Sequence, residues 1–133
     1  MKYLYCLALI TLCTIANAQS EGKAATIVQK QLDAYNARDI DAFMETYSDS
    51  VKIYNHPNEL IMSGKEELRN RYATMFKRMP DMYGTLMNRM VLGNTVIDQE
   101  RVVFIKNDPP VEVFAMYKIA KGKIQEVYFI RPN

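Results

Sequence analysis

The stretch NRMVLGNTVIDQERV, residues 88–102, joins two segments of high β propensity through the pair Gly93-Asn94. Such a pair between strands suits a tight hairpin turn, although Asn-Gly is the commoner order. In the second segment Asp98 and Glu100 share one face, because side chains two residues apart in a strand point to the same side. The sequence therefore predicts an antiparallel hairpin that carries two neighbouring carboxylates.

Four more strands are predicted, two before this hairpin and two after it. Residues 51–55, VKIYN, and residues 60–63, LIMS, flank the turn HPNE. Residues 111–120, VEVFAMYKIA, follow the turn NDPP, and residues 124–130, IQEVYFI, follow a KGK turn. Short runs rich in β-branched and aromatic residues between such turns are typical of strands.

Three amphipathic helices are predicted before the hairpin. The first begins near Ala24, after an irregular segment QSEGK, and the second follows Asp39 as its N-cap and includes Tyr47. A capping box of Ser63 and Glu66 starts the third helix, which ends at the next proline. The apolar stripes of these helices must be buried. We therefore expect an α+β fold in which a curved sheet wraps around the third helix, with a pocket at its end.

The N-terminal segment MKYLYCLALITLCTIANA, residues 1–18, has a lysine, an apolar run and an Ala-x-Ala ending. This pattern predicts a secretory signal peptide cleaved after Ala18, a secreted or periplasmic protein, and a single domain over residues 19–133. Lipoprotein processing at Cys13 is the alternative, which the bulky residue before it disfavours. Both cysteines lie in the removed segment, so neither a disulfide nor a thiol nucleophile is expected.

Composition excludes several function classes. The 17 basic and 15 acidic residues are interleaved along the chain, so we expect no nucleic-acid partner and no membrane attachment after signal removal. One histidine and no mature cysteine disfavour a zinc or copper site. The glycine-rich nucleotide motifs and the G-x-S-x-G elbow of serine hydrolases are also absent from the sequence. We therefore expect neither a metal nor a cofactor.

Four segments carry a family resemblance over residues 24–131. They are AYNARDIDAFMETYSDSVKIY, GKEELRNRYATMF, NRMVLGNTVIDQERV and KGKIQEVYFI. Together with the element order, they resemble the nuclear transport factor 2-like superfamily and its SnoaL-like branch. The resemblance implies a cone-shaped barrel, in which a strongly curved mixed or antiparallel sheet wraps around three N-terminal helices, and often a homodimer through the open face of the sheet. The superfamily includes isomerases, cyclases, dehydratases and proteins without a reaction.

Ketosteroid isomerase, which has this fold, uses a carboxylate base before a proline together with a tyrosine and a protonated acid. The matching positions in this chain are His56 or Asn55 for the base, Gln31 for the tyrosine, and Glu112 or Ala115 for the acid. At most one of these three roles is filled by the expected residue type, so the resemblance does not carry the isomerase's mechanism over.

Two sets of residues are candidates for proton transfer. His56 is the only histidine, and histidine is the side chain type that titrates nearest neutral pH; the alternative is a solvated turn residue. Asp98 and Glu100 form the second set, because two close carboxylates inside a cone raise the pKa of one of them. The alternative is a solvent-facing pair balanced by Arg89 or Lys118.

Aromatic side chains are the candidates for ligand binding. Tyrosines offer ring surface and a hydroxyl donor to a flat, partly oxygenated ligand, although each is also a candidate for the core. Arg89 is expected either to hold a substrate carboxylate or to balance the acids. The predicted ligand-binding residues are Tyr35, Tyr54, Tyr72, Phe76, Arg89 and Tyr117, with an adaptable wall of Met75, Met87, Met90 and Met116.

These residues predict a protein that binds a small apolar or aromatic molecule. One expectation for such a site is a cofactor-independent isomerase, cyclase or dehydratase that acts on a small hydrophobic carbonyl compound. The alternative is a non-catalytic, dimeric domain that binds a ligand or a protein.

Overall fold

The computed structural model describes the backbone of residues 2–133 and the side chains of residues 18–133. Apart from Ala18, the side chains of the predicted signal peptide lie outside the described residues. None of the described residues forms a helix long and apolar enough to cross a membrane. The elements are α1 (Lys2–Ala37), α2 (Ile40–Glu45), β1 (Tyr47–Asn55), β2 (Glu59–Ser63), α3 (Lys65–Arg78), β3 (Tyr83–Leu92), β4 (Thr95–Val103), β5 (Val111–Ala120) and β6 (Lys123–Ile130).

The six strands form one mixed sheet in the order β2-β1-β6-β5-β4-β3. Strands β1 and β6 run parallel, and all other neighbours run antiparallel. The sheet is open, with β2 and β3 at its edges, and this confirms the predicted α+β fold with a curved mixed sheet. Helix α1 contacts β3, β4 and β6, whereas α3 contacts β1 and β2. Helix α2 also contacts β1. The sheet therefore packs against all three helices, as the resemblance implies, and not around α3 alone.

Several element boundaries differ from the sequence prediction. Asp39 is the N-cap of α2, as predicted, and accepts a hydrogen bond from the Ala42 amide. Tyr47 was expected on that helix but begins β1, because α2 ends at its C-cap Thr46, whose amide and hydroxyl both donate to the Phe43 carbonyl. The predicted capping box is wrong as well: Gly64 is the N-cap of α3, and the Ser63 amide donates to Glu67 instead of Glu66.

Residues 19–23, predicted to be irregular, are part of α1. Two contacts with the β3–β4 turn fasten this part of the helix. The Ser20 hydroxyl donates to the Asn94 side chain at 2.7 Å, and the Gly93 amide donates to the Glu21 carboxylate at 3.2 Å. These tertiary contacts replace the stabilisation that the local sequence lacks.

Strand alternation decides which side chains face the helices. On β4, the buried residues are Val96, Asp98, Glu100 and Val102, and their neighbours in sequence point to the outer face. Tyr117 is buried on the same inner face of β5. Both predicted carboxylates therefore lie beneath the helices and not in solvent.

Candidate functional site

A cavity of about 860 Å³ lies between α1, α3 and the inner face of the sheet. Pockets of 300–1,000 Å³ are typical of small-molecule sites. The walls are mainly apolar, and the residues at the closed end are buried, whereas those at the mouth are exposed. Apolar wall residues include Leu32, Met75, Val102, Phe104, Val113 and Phe129.

A polar cluster lies at the closed end. The Tyr117 hydroxyl is 3.3 Å from Oε1 of Glu100 and 3.5 Å from Oε1 of Gln31, so its single proton is donated to one of the two. The Gln31 amide in turn donates to the Tyr47 hydroxyl at 3.1 Å. All four side chains are buried, so this network orients Glu100 toward the cavity that it lines.

Glu100 titrates near neutral pH. Burial raises the pKa of its carboxyl group from 4.5 to about 7, and the negative charge of Asp98 adds to this effect. The hydrogen bond from Tyr117 and the positive charge of Arg89 oppose the increase without cancelling it. Both protonation states of Glu100 are therefore populated near pH 7, which is the property that a general acid or base requires.

The tyrosines of the cavity remain protonated. Burial, reinforced by the charge of Glu100, raises the pKa of Tyr117 well above its usual value, and burial also raises that of Tyr35. The pKa of Tyr72 rises to about 12, chiefly through burial. The hydroxyls of Tyr35 and Tyr72 make no hydrogen bond to another described residue. They are therefore available as donors to a ligand.

Asp98 does not share the cavity with Glu100, because it is paired with Arg89. The guanidinium donates to both carboxylate oxygens, Nε to Oδ1 at 2.7 Å and Nη2 to Oδ2 at 2.8 Å, and Asp98 is fully buried. Hydrogen bonding to Asp98 also raises the pKa of Arg89. Of the two expectations for Arg89, the structure shows the one in which it balances an acid. Glu100 has no ion-pair partner among the side chains of residues 18–133.

A β-bulge produces this pairing. Leu86 lies opposite Glu100, but the register shifts by one residue, so that Arg89 lies opposite Asp98. Met87 is the extra residue. Because a shift of one residue turns every following side chain to the other face, the bulge turns Arg89 inward.

The predicted site residues fall into two groups. The structure brings Tyr35, Tyr72, Tyr117 and Glu100 together around the cavity. The other predicted residues do not line it, and neither do three of the four methionines; the exception is Met75.

Of the residues outside the cavity, His56 is exposed in the turn after β1, where its amide donates to the Phe129 carbonyl. Tyr54 stacks on Tyr128 on the outer face of the sheet, with ring centroids 4.8 Å apart. Phe76 belongs to the aromatic core, with its ring 5.6 Å from that of Phe43. Met87 and Met90 are exposed on the outer side of β3.

The sequence prediction missed several cavity residues. Gln31 was named only as the position that matches the isomerase's tyrosine and not as a ligand-binding residue, although a polar residue among the apolar positions of the first helix is a signal of such a role. Arg71 and Arg131 at the mouth had no such signal, because exposed arginines are common and their proximity depends on the packing of α3 against the sheet.

The sequence pattern of the SnoaL-like domain matches residues 28–127, which is most of the chain. The chain belongs to the SnoaL-like family. This confirms the resemblance that the sequence segments indicated. No curated protein matches the chain.

Several proteins of known structure have the same fold as this SnoaL-like protein. An uncharacterized cystatin-fold protein from Novosphingobium aromaticivorans is 26% identical, with a TM-score of 0.75 over 81% of this chain and 97% of that one. A provisionally assigned ketosteroid isomerase from Kribbella flavida is 15% identical, with a TM-score of 0.73 over 86% and 81%. A provisionally assigned SnoaL-like polyketide cyclase from a Jannaschia species is 21% identical, with a TM-score of 0.68 over 83% and 85%.

Proposed function

We propose that this SnoaL-like protein binds a small hydrophobic carbonyl compound in its cavity and acts as a cofactor-independent acid/base enzyme of isomerase, cyclase or dehydratase type. The observation that carries the proposal is a buried Glu100 with a pKa of about 7, facing an apolar cavity and contacting Tyr117. A titratable group so perturbed inside a cavity is a candidate catalytic group.

The chemistry requires one proton carrier and one stabiliser of negative charge. Ionised Glu100 takes a proton from the carbon next to the substrate carbonyl, and the electron pair moves onto the carbonyl oxygen as an enolate. The hydroxyls of Tyr35 and Tyr72 donate hydrogen bonds to this oxygen. Protonated Glu100 then returns the proton to carbon, or to a leaving hydroxyl in a dehydration. Arg89 has no part in these steps because Asp98 occupies it.

The comparisons support this reaction class without defining the substrate. Relatives of the same fold include a provisionally assigned isomerase and a provisionally assigned cyclase. Both identities are below 25%, so the similarity concerns the fold. The proposal for this chain rests on its own Glu100 and tyrosines.

Deuterium incorporation from D₂O into a panel of cyclic ketones and enones tests the proton transfer directly. Wild-type protein should accelerate the exchange next to the carbonyl, with a rate that rises as pH increases through about 7. Glu100→Gln should lower that rate about 10²- to 10⁴-fold. Glu112→Gln is the matched control, because Glu112 is exposed on β5 and paired with Arg101. Full exchange activity in Glu100→Gln, or no exchange with any compound by wild-type protein, would contradict the proposal.

We also propose that the protein forms a homodimer through the outer face of its sheet. One row of side chains in register crosses all six strands there, and its outermost members, Met90 and Leu60, are each more than half exposed. Exposed apolar patches of this kind mark association sites. The row consists of Met90, Ile97, Met116, Tyr128, Tyr54 and Leu60.

Native mass spectrometry tests whether the protein forms this homodimer. The same homodimer is expected if the protein is a non-catalytic domain. Ile97→Lys should convert the dimer to a monomer, whereas Lys30→Glu on α1 should leave the protein dimeric. A monomeric wild-type protein, or an unchanged dimer in Ile97→Lys, would exclude this interface.

Export through the signal peptide is proposed from the sequence pattern of residues 1–18. Intact-mass analysis of the protein from its native host should find a chain that begins at Gln19. Full-length protein retained in the cytoplasm would contradict export.

A further inference from the structure

Two arginines lie at the mouth of the cavity. Arg71 is on α3, and Arg131 follows β6 directly; both are exposed and line the opening. The only acidic side chain among the lining residues is Glu100 at the closed end. The cavity is therefore apolar along its walls, positive at its mouth and able to become neutral at its closed end.

The two arginines differ in the partners they have. Nη2 of Arg71 lies 3.1 Å from Oε1 of Glu67, one helical turn earlier, so part of its charge is balanced. Arg131 has no ion-pair partner and no hydrogen bond among the side chains of residues 18–133. Arg131 is therefore the cation that is free to bind a ligand.

A ring contact holds Arg131 at the opening. Its guanidinium carbon lies 5.9 Å from the centroid of the Phe129 ring, which is itself part of the cavity wall. Cation–π contacts of this kind restrict the position of the guanidinium while its N–H groups remain able to donate. Its charge is also felt inside the cavity, where it lowers the pKa of Tyr72 against the larger raising effects of burial and of Glu100.

We propose that the ligand of this cavity is an apolar carboxylate, whose hydrophobic body fills the cavity and whose carboxylate binds Arg131 at the mouth, with Arg71 as the weaker second cation. The proposal rests on the proposed function, because it names the class of compound that the cavity accepts. A guanidinium offers two parallel N–H donors that match the two oxygens of a carboxylate. The anionic end then lies at the mouth, and the apolar part of the ligand lies toward Glu100.

Calorimetric titration with two probes of nearly the same shape separates this proposal from ligand binding in general. 2-Naphthylacetate carries the carboxylate, and 2-naphthylacetamide is its neutral counterpart. We expect wild-type protein to bind both and to prefer the carboxylate by about fivefold to tenfold, since charge-assisted hydrogen bonds are stronger than neutral ones but this site is partly exposed. The preference should decrease at high salt, because the arginine is exposed.

Three variants locate the effect. Arg131→Gln should remove most of the preference by lowering the affinity for the carboxylate, while Arg71→Gln should reduce the preference less. Arg69→Gln is the matched control, because Arg69 is an exposed arginine of α3 that is paired with Asp41 and does not line the cavity. It should change neither affinity.

The outcomes of the titration are distinct. Equal affinities in wild-type protein, or an unchanged preference in Arg131→Gln, would overturn the carboxylate proposal and leave the apolar cavity as a binding site. Binding of neither probe would contradict both this proposal and ligand binding by the cavity. The three substitutions are at exposed positions. Circular dichroism checks that each variant is folded before the titration.

Discussion

Glu100→Gln should make the protein more stable at high pH, which is the reverse of what loss of a paired carboxylate does. Glutamine keeps the size and hydrogen-bonding capacity of the side chain but cannot ionise. Raising the pKa of Glu100 from 4.5 to about 7 means that its ionised form is unfavourable in the folded state. At about 1.4 kcal/mol for each pH unit, this amounts to about 3 kcal/mol of unfolding free energy.

The direction of the effect follows from proton binding. Between pH 4.5 and about 7, folded protein holds the Glu100 proton and unfolded protein has released it. Stability therefore falls as pH rises through this window and levels off above it. Urea unfolding at several pH values from about 4 to about 8 measures the free energy. Relative to Glu100→Gln, wild-type protein should lose about 3 kcal/mol over this range.

Comparing the two proteins at each pH cancels the titration of all other groups. Glu112→Gln is the control, because its surface ion pair with Arg101 contributes at most about 1 kcal/mol and Glu112 lies outside the cavity. Parallel pH profiles for wild type and Glu100→Gln would refute the raised pKa and with it the role of Glu100 as a proton carrier. A variant that loses stability relative to wild type as pH rises would show that Glu100 is stabilised as an anion.

Three further substitutions test the framework around the site, each by urea unfolding at pH 7. Asp98→Asn should destabilise the protein by about 3–5 kcal/mol, because it leaves a largely buried arginine without its carboxylate, whereas Asp41→Asn at an exposed pair should cost at most about 1 kcal/mol. Asn36→Ala removes the amide side chain that hydrogen-bonds with both the backbone N–H and the backbone C=O of Gly84, a buried residue on edge strand β3. This should cost about 1–3 kcal/mol of unfolding free energy. Asp39→Ala removes the cap of α2 and should cost about 1 kcal/mol. Losses below about 0.5 kcal/mol at Asp98 or Asn36 would show that these contacts are dispensable.

Local sequence predicted much of this protein because local rules govern those features. The Gly93-Asn94 pair joins β3 to β4, and alternation places Asp98 and Glu100 on one face. Asp39 caps α2 because its side chain needs only the amide of a residue three positions later. The start of α1 was not predictable in this way, since its contacts reach the distant β3–β4 turn.

The division of roles between the two carboxylates required the tertiary structure. By itself, the sequence determined the order of the elements, the α+β class, the SnoaL-like family and the common face of Asp98 and Glu100. Only the folded sheet decided which of the two remains available, because the bulge at Met87 turns Arg89 inward opposite Asp98. A one-residue shift of register cannot be read from residue types, yet it reverses the side to which a charge points. The same packing left His56 in solvent and brought Glu100 into the cavity with three tyrosines.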